Sequence, residues 1–226
     1  MSTYQNRRYA FIMRKIKHFL FLFGLLSCSA QNTCAVAQAS PIRILVLGDS
    51  LTAGYGLRPE EAFPAQLQRK LIRTGRQVKV LNRGVSGDTS AGGRARLTWV
   101  LGDKPHAVII ELGANDGLRG LEPIQLRDNL DAIISILRTQ KVAVLLTGMR
   151  APPNFGEKYS AQFDAVYPDL AKKHGLPLYP FFLEGVVSEP SLNQKDGIHP
   201  NSRGVKKIVD QITPYVLRLI DGLENK

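Results

Sequence analysis

Ile44-Leu45-Val46-Leu47 is an unbroken apolar run that leads straight into Gly48-Asp49-Ser50-Leu51-Thr52. Four apolar residues in succession predict a strand covered on both faces, the environment of a central strand in a parallel sheet. Gly48 ends the run, and the hydroxyl of Ser50 follows at the carboxyl end, the edge where open α/β sheets bind ligands. A serine in such a place caps a turn as readily as it attacks a substrate, so the rest of the chain has to decide its role.

From Ile42 onward the chain alternates short β-rich runs with longer helical stretches. The expected strands are Ile42–Leu47, Val78–Asn82, Ala107–Leu112, Val142–Thr147 and a short one at Leu178-Tyr179; the expected helices are Glu61–Arg73, Ser90–Leu101, Glu122–Arg138, Lys158–His174 and Ser202–Gly222. Pro123 suits the first turn of its helix and Ser202 is placed to cap the last one. Val205, Ile208, Val209, Ile212, Val216, Leu219 and Ile220 recur at helical spacing, which marks a face packed on the sheet. Five β-α units without repeats or linkers predict one three-layer α/β/α domain, built on a doubly wound parallel sheet.

The amino terminus reads differently. Arg7, Arg8, Arg14, Lys15 and Lys17 precede the apolar run Phe19–Leu26, and Ala35-Val36-Ala37 and Ala37-Gln38-Ala39 follow as small-residue cleavage patterns. This order predicts a secretory signal over residues 1–39 and a mature domain over 40–226, with Met13 a second candidate start. The apolar run is too short to span a bilayer. Leu25-Leu26-Ser27-Cys28 is an imperfect lipobox, so acylation at Cys28 is the minority expectation. Removing the five leader cations lowers the net charge from +11 to +6, and the remaining basic residues are scattered without aromatic interleaving. That pattern argues for solvated surface with some affinity for anionic membranes, and against a nucleic-acid stripe. Both cysteines, Cys28 and Cys34, precede the expected cleavage point, which leaves the mature domain no disulfide, metal thiolate or cysteine nucleophile.

Four loops carry unusual polar clusters: Gly48–Leu51, Gly84–Thr89, Gly113–Gly117 and Asp196–Asn201. A doubly wound sheet gathers such loops at one edge. Ser50 needs a base, which His199 can supply; Asp196, three residues earlier, can orient that imidazole. An oxyanion would find donors in the Ser50 and Gly87 backbone N–H groups and the Asn115 amide. Asp49 and Asp88 are expected to brace loops, Asp116 to tie loop amides together, and His106 and His174 to be structural. A metal site from Asp196, His199 and Asp88 lacks ligand spacing, and no cofactor is expected.

Gly-Asp-Ser-Leu, Ser-Gly-Asp-Thr-Ser, Gly-x-Asn-Asp and Asp-Gly-Ile-His-Pro-Asn, in this order, resemble the conserved blocks of the SGNH (GDSL) hydrolases. Glu111–Gly120 and Pro180–Leu183 make the chain similar to that family's bacterial periplasmic thioesterase/lysophospholipase (arylesterase) branch. The resemblance implies a flavodoxin-like five-stranded sheet, a triad of Ser50, Asp196 and His199, and an oxyanion hole of Ser50, Gly87 and Asn115. It also implies a hydrolase of aryl esters, acyl-CoA and lysophospholipids; from the signal segment it is expected to be periplasmic or secreted, and a monomer with peripheral membrane contact is expected. Leu118, Leu121, Met149, Pro153, Phe155 and Ile198 are the expected acyl-binding residues. A carbohydrate O-deacetylase and a non-catalytic envelope binding protein are the alternatives.

Overall fold

The structure is a computed structural model of the 226-residue chain, described over residues 40–225. The expected signal segment, with Cys28 and Cys34, lies outside the described residues. The five expected strands form one parallel sheet: β1 (Ile42–Gly48), β2 (Val78–Gly84), β3 (Ala107–Glu111), β4 (Ala143–Thr147) and β5 (Leu178–Tyr179). Their spatial order is β2-β1-β3-β4-β5, the flavodoxin-like arrangement in which the chain starts near the middle and winds outward in both directions. β1 and β3 are the continuous apolar runs of the sequence, and Ile44 to Leu47 and Ala107 to Ile110 are fully buried. That burial explains why neither strand alternates in polarity.

The helices are α1 (Ser50–Ala53), α2 (Phe63–Arg73), α3 (Ser90–Ala95), α4 (Leu97–Leu101), α5 (Ala114–Leu118), α6 (Pro123–Thr139), α7 (Glu157–His174) and α8 (Ser202–Glu224). α2 packs with α8 as one outer layer, and α6 packs with α3 and α7 as the other. The apolar face expected of α8 lies inward, with Val205, Ile208, Val209, Ile212, Val216 and Ile220 all buried.

Three expectations change in detail. The stretch Ser90–Leu101 is two short helices, α3 and α4, meeting at Arg96. There the guanidinium turns inward, with Nε donating to Asp88 Oδ2 at 2.6 Å and Nη2 to the Gly48 carbonyl at 2.9 Å. α2 begins at Phe63 after a 3-10 turn over Pro59–Glu61, because Pro64 fits the first turn, where no intrahelical N–H is required. Asn201, not Ser202, caps α8: its Oδ1 accepts the N–H groups of Arg203 (2.9 Å) and Gly204 (3.1 Å).

Candidate active site

Three loops that follow β1, β2 and β3, and the loop that precedes α8, meet at one rim. Asp49 caps α1, its Oδ1 accepting the Leu51 N–H at 2.9 Å, and this places Ser50 on the first helical residue with its hydroxyl half-exposed. The His199 Nε2 lies 3.0 Å from Ser50 Oγ, although the two residues are 149 positions apart. His199 Nδ1 lies 2.7 Å from Asp196 Oδ2. The other Asp196 oxygen accepts the main-chain N–H groups of His199 (3.0 Å) and Ile198 (3.1 Å). The His199 main-chain N–H, then its ring, hold the Asp196 carboxyl below the usual carboxylate range. An ionised carboxylate, an imidazole and an alcohol are thus joined in one hydrogen-bonded series, the geometry that lets an imidazole take a proton from an alcohol and return it.

Gln194 fastens this series to the serine side, a role the sequence did not suggest. Its Nε2 donates to the carbonyls of Tyr55 (2.7 Å) and Pro200 (3.1 Å), and its N–H donates to the His199 carbonyl at 2.7 Å. The Tyr55 ring lies against the His199 imidazole, with centroids 4.6 Å apart.

The N–H groups of Ser50 and Gly87 have no protein acceptor among the described residues. Gly87 has φ 84°, a left-handed conformation that side chains resist, while the space where a Cβ would stand is nearly open. Its glycine is therefore required by backbone conformation more than by room. Asn115 lines the same cavity, but both amide hydrogens have partners: Nδ2 donates to Asp88 O at 2.9 Å and to Asp49 Oδ2 at 3.1 Å.

The cavity beside Ser50 has a volume of about 680 Å³. Leu118, Met149, Pro153 and Ile198 line it as expected. Leu121 and Phe155 are not among its lining residues: Phe155 turns away to pack on Tyr159, with ring centroids 5.2 Å apart, and over Gly120. Tyr55, Phe181, Leu183 and Val187 complete the apolar wall, and Arg150 is the lining residue with a full charge. The Arg150 guanidinium sits 4.7 Å from the Phe181 ring centroid. Phe181 and Leu183 stand in the Pro180–Leu183 stretch that carried part of the resemblance, so a signal for them was present; Tyr55 and Val187 carried none.

Asp88, Asp116, His106 and His174 bond to neighbouring elements away from the Ser50–His199 series. Asp88 pairs with Arg96, Asp116 accepts the Ser90 N–H (2.8 Å) and Oγ (2.5 Å), and His106 Nδ1 accepts the Arg43 N–H at 2.9 Å. His174 pairs with Asp131 at 2.6 Å. No cluster of three metal-ligating side chains occurs among the described residues.

Residues 46–207 match the GDSL-like Lipase/Acylhydrolase family. The chain is 42% identical to Esterase TesA of Pseudomonas aeruginosa over 202 residues, covering 89% of this chain and 98% of that protein. It is 41% identical to Thioesterase 1/protease 1/lysophospholipase L1 of Escherichia coli K12 over 205 residues, covering 90% and 94% of the two chains. The crystal structure of TesA superposes with a TM-score of 0.75, spanning 78% of this chain and 99% of that one. The chain belongs to the GDSL-like lipase/acylhydrolase family, and its activity is that of an ester and thioester hydrolase.

Proposed function

We propose that Ser50 is the nucleophile of this hydrolase, that His199 is its general base, and that Asp196 orients the imidazole. The observation that carries this reading is the continuous bonded series from Asp196 Oδ2 through His199 to Ser50 Oγ, at 2.7 and 3.0 Å. Ser50 Oγ attacks the acyl carbon while its proton passes to His199 Nε2, and the C=O electron pair moves onto the carbonyl oxygen. The Ser50 and Gly87 N–H groups receive that oxyanion. Asn115 joins them by sharing the hydrogen it gives to the Asp88 carbonyl in the resting state. The imidazolium then protonates the leaving alcohol or thiol, which leaves an ester on Ser50. Water, deprotonated by His199, attacks this ester; the free acid departs and the alcohol of Ser50 is restored.

The cavity supports acyl chains well beyond acetyl. Its wall is mostly apolar, and each methylene taken out of water is worth about 0.8 kcal/mol, so six of them contribute up to about 5 kcal/mol. Arg150, in an exposed ion pair with Glu184 at 3.8 Å, supplies a cation beside that wall, which favours donors with phosphate-bearing head groups such as acyl-CoA and lysophospholipids over neutral ones. A carbohydrate O-deacetylase would have little use for such a wall. The amino-terminal basic-apolar-small pattern supports an exported enzyme whose mature domain begins near residue 40.

A fluorophosphonate probe tests the assignment of the nucleophile. Wild-type protein is expected to be labelled stoichiometrically on Ser50, and Ser50→Ala neither labelled nor active while unfolding at the wild-type temperature. Labelling of any other residue, or ester turnover by folded Ser50→Ala near the wild-type rate, would overturn it.

A further inference from the structure

Two carboxyl groups lie beneath the Ser50 turn and take no part in the reaction above. Glu111 ends β3, Asp49 precedes Ser50, and both are fully buried. Glu111 Oε2 accepts the Thr52 hydroxyl at 2.6 Å and the Asp49 N–H at 3.3 Å, while its Oε1 has no protein partner. Gly48 faces Glu111 in the β1–β3 register, and a side chain there would overlap both Glu111 Oε2 and Thr52 Oγ1. The Asp49 carboxylate in turn accepts the Leu51 N–H and one Asn115 hydrogen. Together the two acids grip the residues on either side of Ser50, and the amide that faces the cavity.

We propose that Glu111 and Asp49 hold one negative charge between them, with the proton on Glu111, and that Glu111 as a neutral acid is the positioning residue that fixes the Ser50 turn. The proposal rests on the reading of Ser50 as the nucleophile. Two carboxylates in one buried site cannot both ionise cheaply, since desolvation and mutual repulsion act on each. Burial, then the Asp49 charge, pushes Glu111 well above its usual range, and burial pushes Asp49 up to about 6. The hydrogen bonds decide where the proton sits. Both Asp49 oxygens accept donors, the Leu51 N–H on one and an Asn115 hydrogen on the other. Glu111 takes both of its donors on Oε2 and leaves Oε1 with none, so an anion there would be solvated on one oxygen only, whereas a neutral carboxyl costs far less to bury. The other groups facing the pair leave this order unchanged. Asp88, which opposes charge on Asp49, is itself paired to Arg96; the Tyr167 phenol donates to the Leu112 carbonyl.

Three variants and one spectrum test this. Glu111→Gln keeps an acceptor for Thr52 and the Asp49 N–H and replaces the O–H by an amide, so kcat/KM is expected to stay within about threefold of wild type. Glu111→Asp keeps the charge chemistry but withdraws the acceptor by one methylene; it is expected to lower kcat roughly 10–100-fold, with KM within about twofold. Thr52→Val, the mildest change, is expected to lower kcat by about threefold to tenfold at unchanged KM, and it keeps the test decisive should Glu111→Asp fail to fold. The infrared spectrum of the wild-type protein at pH 7 is expected to show the carbonyl stretch of a buried protonated carboxyl, absent from Glu111→Gln. A Glu111→Gln enzyme as slow as Glu111→Asp, a Thr52→Val enzyme at full kcat, or a wild-type spectrum without that band would each overturn the proposal. Failure of the fluorophosphonate to label wild-type Ser50 would instead strike the parent reading, and would leave the infrared result standing.

Discussion

The phenol of Tyr167, on α7, occupies the space that a side chain on Gly113 would need, and its Oη donates to the Leu112 carbonyl at 3.0 Å. A buried helix residue thereby fixes the loop that brings Asn115 to the rim. Tyr167→Phe leaves that carbonyl buried without its donor, so it is expected to cost about 1–3 kcal/mol in urea unfolding and to lower kcat. Gly113→Ala faces both the phenol and a φ of 118°, and is expected to lose more stability than Tyr167→Phe.

Asp196 holds His199 through both its main chain and its ring. Asp196→Asn is expected to lower kcat by roughly 10³–10⁴ with KM little changed, since the amide can face the ring with its NH2 and favour the wrong tautomer. Steady-state kinetics on a p-nitrophenyl ester, with circular dichroism to show that the fold survives, check this outcome.

Acyl length and head-group charge separate the uses of the cavity. The kcat/KM for p-nitrophenyl octanoate is expected to exceed that for the acetate by at least about tenfold, a fraction of what six buried methylenes could supply. Arg150→Ser is expected to raise KM for an acyl-CoA severalfold and to leave the neutral p-nitrophenyl ester unaffected. A flat chain-length series would return the O-deacetylase reading to favour.

The Lys173 ammonium, then the His174 ring, hold the Asp131 carboxyl below its usual range. A lowered folded-state value means the stabilisation is present above the unfolded value of about 3.9 and disappears as pH falls through the lowered one. Asp131→Asn is therefore expected to be less stable than wild type at pH 7, by under about 1 kcal/mol for so exposed a cluster. The difference is expected to vanish in strong acid, and urea unfolding at both extremes measures it.

Much of this molecule was legible before any coordinates. Apolar runs such as Ile44–Leu47 and Val142–Leu146 betray central strands because both faces are covered; Ser50, Gly87 and Asn115 stand in the loops that follow β1, β2 and β3, and His199 in the loop before α8. Arg96 shows where local reading stops: helical periodicity continues through it, but an ion pair to Asp88 and a bond to the Gly48 carbonyl hold its side chain inward where two short helices meet. α1 and α5 are too short to leave a periodic signature. Cavity walls are harder again, since Tyr55 and Val187 come from unrelated segments that carry no signal of their own. Phe155, chosen for its apolarity and its place in sequence, found a better partner in Tyr159. Nothing local to Asn115 announced that both of its hydrogens would be taken.

Asp196 and His199 stand three positions apart, clasped by main-chain and side-chain bonds, so this half of the apparatus travels as a cartridge that needs little help from the sheet. Ser50 is mounted elsewhere, and the cartridge is latched to its side chiefly by Gln194. Gentle heating should therefore unlatch alcohol from cartridge while the strands still pair, and turnover would be lost before the secondary structure melts.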